Sequence, residues 1–447
     1  MPSYFFYTLS LGFVISSLLF LYSLYKTRTL GLIEISVFMS WFYIFLRPAG
    51  IDFCADVVNK ELYFWDYDYY ILGVLTSVLM LLMFQVGASI PLKNYRQILS
   101  CYNVDRLALI KNLKKILYFS LLIFSLMLFL LILFYGQSLL PWERVGLGAT
   151  SAALSGFEFI WPLVRILLFF IIVSSLFLFF ETGKFKYFLY FMLIVLSILI
   201  LGRRGILIAP ILFFLFVYTF YRLSIRKDSL FVFFQWRYIS VGLLVLIIAF
   251  LGKRLIHQVY LGDFSALETT DSGFICNIIK NGGQEFDLLW PAIIENVVKN
   301  YSLLDFVYAI VGNFYSHEDK LLNHEYLYSI TDKLMMEYMK DVYVNLKFGI
   351  SPNIYQFYIS YLGPFAILAL FLFGYVFRRV EKTILKAFFT NKFFVTYIVY
   401  LLMSFFRGPI DYTFKYFLAQ TVYFLAVVVI YYLYSSLFRF KAHDGIK

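Results

Sequence analysis

Two adjacent arginines, Arg203 and Arg204, stand in the stretch LGRRGIL between Gly202 and Gly205, with long runs of Leu, Ile, Phe and Tyr on either side. Further arginines sit in comparable settings: Arg254 in LGKRLI beside Lys253, Arg407 in FFRGPIDY, Arg47 in FLRPAG, Arg144 in PWERVG and Arg165 in IWPLVRILL. A guanidinium is planar and always protonated. It grips phosphate oxygens in pairs and tolerates partial burial better than an ammonium. Arginines gathered at a membrane border therefore suit an anionic lipid headgroup, with Arg203, Arg204, Arg254 and Arg407 as its first contacts and Arg165 as a further one. The plainer alternative is that each snorkels to lipid phosphate or pairs with a carboxylate at a helix end.

Bases are scarcer. Asp411, four residues beyond Arg407, is placed to take a proton, and equally to pair with Arg407 or Lys415. His317 and His324, in YSHEDKLLNHE, are two of the chain's four histidines. They suit a base carried on a lid, or two solvated loop side chains. Their spacing is not the i, i+4 of two zinc ligands on a helix face. Asp66 and Asp68, in FWDYDYY, have the Asp-x-Asp spacing that holds a divalent cation against a phosphate. An aromatic, acidic membrane rim produces the same pattern, and the arginine reading is preferred to a metal.

The elements that must position these residues are membrane helices. Of 447 residues, 62% are hydrophobic and 15% charged, far from a soluble balance. A span needs about 20 apolar residues, and about eleven such stretches alternate with short polar breaks, which predicts an all-α polytopic membrane protein. The first, Tyr4 to Tyr25, lacks a basic approach and a small-residue cleavage site, and reads as a retained helix. Tyr187 to Tyr221 would run about 52 Å as one helix, against a hydrocarbon core of roughly 30 Å. It is expected to be two helices, reversing at the glycines around Arg203 and Arg204.

Lysine and arginine accumulate on the cytoplasmic side. Taking alternate gaps collects 22 basic residues with only five acidic ones, leaving 16 basic and 22 acidic elsewhere. That predicts an outside N-terminus, a cytoplasmic C-terminus and Arg203–Arg204 on the outer face. The net charge of +11 then reflects topology and anionic lipid, and needs no nucleic acid. Three regions follow: spans one to eight over 1–256, a large outer loop over 257–352, and spans nine to eleven with a cytoplasmic tail over 353–447. The loop carries thirteen acidic residues, six lysines and no arginine. Its stretches EFDLLWPAIIENVVKNY and SLLDFVYAIVGNFY read as amphipathic surface helices, a lid or platform over the outer mouth. Cys54, Cys101 and Cys276 form no metal spacing. No Walker loop, dinucleotide fingerprint or internal repeat is present.

The long outer loop, LGRRG opening a span, the late FFRG segment and FGISPNIYQFYISYLGPFAILALFLFGYVF after the loop together resemble the bacterial O-antigen or oligosaccharide repeat-unit polymerases (Wzy type). The likeness covers the overall layout and three short segments. It implies a multi-span, GT-C-like glycosyltransferase of the bacterial inner membrane that needs no cofactor. Its substrate would be oligosaccharide on undecaprenyl pyrophosphate, moved onto the next lipid-linked repeat, with membrane lipid and a chain-length regulator as partners. The O-antigen ligases share these features, and a flippase or transporter of lipid-linked saccharide is the rival from another class. Such transporters usually show repeated halves and seldom a large outer loop.

Overall fold

A computed structural model describes residues 3–27, 29–46, 48, 67–94, 104–135, 160–200, 205–228, 354–407 and 410–443, with isolated positions between 293 and 304. The described chain is almost entirely helical. Five helical segments, Tyr4–Thr27, Asp68–Leu92, Arg106–Leu130, Leu163–Thr182 and Tyr358–Phe389, are long and apolar enough to cross a membrane. The protein is an all-α, membrane-embedded chain.

The helices are α1 (Ser3–Thr27), α2 (Leu32–Trp41), α3 (Tyr67–Ser89), α4 (Arg106–Tyr135), α5 (Ile160–Thr182), α6 (Phe185–Ile200), α7 (Gly205–Phe220), α8 (Ile354–Leu362), α9 (Ala366–Phe389), α10 (Phe393–Arg407) and α11 (Ile410–His443). The chain divides into two compact units that interleave along its length, with boundaries falling inside α9, α10 and α11. One comprises Met1–Ile98, Leu267–Ile384 and Val399–Lys415; the other comprises Leu99–Ala266, Leu385–Ile398 and Tyr416–Lys447.

In the first unit, α1 and α2 form an antiparallel hairpin, with Ser23 meeting Glu34 and Ser16 meeting Trp41. Helix α3 runs parallel to α1, since Ser16 meets Gln85 where Gly12 meets Val78. Helix α9 runs parallel to α3 and crosses it at two glycines. A Cβ on Gly87 would lie 2.0 Å from the Phe371 carbonyl oxygen, and one on Gly374 2.1 Å from that of Phe84. Small residues allow such backbone contact in a membrane, where packing replaces the hydrophobic drive between helices. The crossing sets the register of α9, so that Arg378, one turn beyond Gly374, reaches the Ala88 carbonyl at 3.4 Å. The chain enters α9 through a break at Gly363 (φ 52°) and Pro364, which separates it from α8.

In the second unit, α5 is the central helix. Its apolar window is 78% buried, whereas that of α1 in the other unit is 22% buried and leaves Tyr7, Leu11 and Leu18 exposed, as lipid contact requires. Helix α5 packs against α4, α6 and α7. Local chemistry fixes the ends. Asp105 caps α4 by accepting the amides of Leu107 (2.9 Å) and Ala108 (3.1 Å). Gly183, at φ 68°, turns α5 into α6. Asn391, at φ 61°, closes α9 with amide bonds from Asn391 to Phe388 and from Lys392 to Ala387, a Schellman pattern.

Candidate functional site

Helices α5, α6 and α7 decide where the paired arginines belong. Phe169 contacts Phe213, and Phe177 contacts both Tyr218 and Tyr221, so α5 and α7 run in the same direction. Helix α6 returns the chain between them. It ends at Ile200 and α7 begins at Gly205, which is the reversal that the overlong apolar stretch requires. Arg203 and Arg204 themselves lie in the four-residue connection, outside the described residues. The helix ends on either side of it lie at the end of the unit where α5 begins. Arg165, in the second turn of α5, is partly buried at that same end.

The opposite end of this unit is held by a carboxylate. Glu181, its side chain fully buried, accepts Arg106 Nε at 3.1 Å and Arg226 Nη1 at 3.4 Å. The Tyr218 and Tyr221 hydroxyls donate to it as well, each at 3.3 Å. Arg222 pairs with Asp228 and donates to the Tyr218 hydroxyl at 3.1 Å. Read as sequence, these are loop charges on the cytoplasmic side. The structure instead makes Glu181 a hub joining α4, α5 and the chain beyond α7. Its cations meet protein partners, while Arg165 and the facing helix ends at Ile200 and Gly205 lie at the far end of the unit.

The first unit contains a second charged centre that counting charges by loop does not isolate. Glu34, Arg378 and Glu381 are 0–1% exposed. Arg378 Nη1 donates to Glu381 Oε2 at 2.6 Å and to Glu34 Oε2 at 3.3 Å; Nη2 donates to Ser23 Oγ at 2.8 Å and pairs with Glu34 Oε1. The Ile33 amide donates to Glu381 Oε1 at 3.2 Å. The one cue in the sequence is the lone acid of LIEISVFMSW, since a charge inside an apolar stretch needs a buried partner.

The remaining sequence candidates are placed only in part. Arg407 is the last residue of α10 and Asp411, four positions on, lies in the first turn of α11 beyond the two-residue 408–409 connection, so the backbone brings them to neighbouring helix ends. Their side chains lie outside the described residues, as do Arg254, His317, His324, Asp66, Arg47, Arg144 and the three cysteines. Asp68 is exposed in the first turn of α3, where an acid complements the helix dipole. Among the described residues, no three His, Cys, Asp or Glu side chains are grouped as a metal site would need.

Comparison of the chain with protein-family models, curated proteins and solved structures finds no match. The functional reading therefore rests on the residues themselves.

Proposed function

We propose that this chain is a glycosyltransferase that polymerises lipid-linked oligosaccharide repeat units at the outer face of the bacterial inner membrane. The observation that supports the reading is the α6–α7 reversal, whose helix ends at Ile200 and Gly205 lie at the end of the unit opposite the Glu181 hub. In this proposal the fold has about eleven spans in a GT-C-like arrangement, with the N-terminus outside and the C-terminus in the cytoplasm. The 257–352 loop lies over the outer mouth.

The reaction breaks the bond between the anomeric carbon of the growing glycan and the oxygen of undecaprenyl pyrophosphate. The electron pair leaves with the pyrophosphate, and a hydroxyl of the next repeat unit bonds to the anomeric carbon. Arg203, Arg204, Arg254 and Arg407, with Arg165 behind them, hold the pyrophosphate. Positioned guanidinium groups neutralise charge that grows as the bond breaks, so they stabilise the transition state more than the bound substrate. The acceptor proton passes to Asp411 or to a loop histidine, His317 or His324. The chemistry takes no metal, and a chain-length regulator is the protein partner.

Deleting the gene tests the assignment through the surface glycolipids. A polymerase loss leaves lipid A core capped with a single repeat. Core alone overturns the proposal in favour of a ligase or flippase, and an unchanged ladder overturns it altogether.

A further inference from the structure

The Glu34–Arg378–Glu381 cluster has an imbalance of charge. Two carboxylates share one guanidinium, and all three side chains are enclosed. A methyl on Gly31 would stand 2.3 Å from Glu34 Oε2 and 2.5 Å from Glu381 Oε1, so the carboxylates converge on the glycine Cα. Among the described residues, Arg378 is the cation bonded to the two carboxylates. From α1 comes the neutral Ser23 hydroxyl; from α3, the Ala88 carbonyl, itself an acceptor. Lys26 lies over the Tyr22 ring and Arg379, exposed, over the Tyr375 ring. Lys382, next to Glu381, directs its ammonium to the Pro91 carbonyl at 2.8 Å. An uncompensated charge in such a place is strongly disfavoured.

A second feature adjoins the cluster. Ser23, Glu34, Gln85, Ser89 and Arg378 line a small cavity of ≈ 10 Å³, at the lower bound for one water. Beyond it runs a hydrogen-bonded chain: Trp41 Nε1 donates to Ser16 Oγ at 2.7 Å, and Ser16 Oγ donates to Gln85 Oε1 at 2.7 Å. The cavity thus sets polar side chains of α1, α2 and α3 beside the surplus negative charge.

We infer that the Glu34–Arg378–Glu381 cluster is a binding site for one exchangeable proton, carried by one of its two carboxylates beside the cavity that Glu34 and Arg378 line. With it the cluster is neutral; without it one negative charge is stranded among α1, α2, α3 and α9. None of this depends on the glycan reading.

Infrared difference spectra of the full chain in lipid bilayers, neutral against alkaline, test the site. The expected result is a carboxylic-acid carbonyl band that disappears on alkalinisation and is missing from Glu34→Gln or Glu381→Gln. Absence of the band from the unsubstituted protein, or its survival unchanged in both variants, overturns the inference. Should neither variant accumulate, carboxyl-¹³C glutamate in the unsubstituted chain decides. A band that shifts with the label supports the site, and one that does not shift overturns it.

Discussion

Arg378→Met is expected to lower the stability of the folded protein by about 3–5 kcal/mol, the cost of removing one partner from a buried ion cluster. The substitution keeps most of the side chain's bulk, so cavity formation contributes little. What it removes is the only cation in direct contact with Glu34 and Glu381 among the described residues. Two facing carboxylates then remain in an enclosed space, and Ser23 loses the guanidinium that donates to it. Arg378→Lys should fall between, because one ammonium does not reproduce a fork that meets two acids at once. Conversely, Glu34→Gln, Arg378→Met and Glu381→Gln together should recover much of the loss, since replacing a whole buried charge network is often nearly neutral. Thermal unfolding of the purified protein reads all three. A melting point unchanged by Arg378→Met would show that the cluster does not hold α2 to α9.

The second large effect is expected in activity, with the protein intact. Arg203→Lys and Arg204→Lys preserve charge and lose the planar fork. If the pair grips a pyrophosphate that gains charge as it leaves, lysine forfeits contacts made best in the transition state. Losing one such donor costs about 3–4 kcal/mol, a hundred-fold or more in rate. We expect one or both variants to insert and accumulate normally while glycan chains shorten toward single repeats. Normal long chains from both would make the pair a topological marker or a lipid contact, and would move the pyrophosphate to Arg254 and Arg407.

The α6–α7 reversal was legible because it follows from length. Thirty-five residues from Tyr187 to Tyr221 overfill a bilayer, and only LGRRG offers a break. Gly374 could be picked out as an interruption in an apolar helix, but its partner Gly87, 287 positions away, could not be paired with it from one sequence. Glu34 and Arg378 are hidden for the same reason. Periodicity and charge counting are local, and a contact between residues 344 apart has no local signal. Glu181, Arg106 and Arg226 are legible in the sequence only as charges on one side of the membrane. Counting lysine and arginine by loop treats each as a solvated charge, while a hydrogen-bonded hub at a helix end uses the same residue types at the same positions.

The central claim is that this chain joins lipid-linked repeats. It is tested most directly by purifying the protein, reconstituting it in liposomes, and supplying only undecaprenyl-pyrophosphate-linked oligosaccharide. The account predicts a ladder of longer lipid-linked glycans, with free undecaprenyl pyrophosphate released once for every bond formed. Repeats that remain single, with no pyrophosphate released, would contradict it.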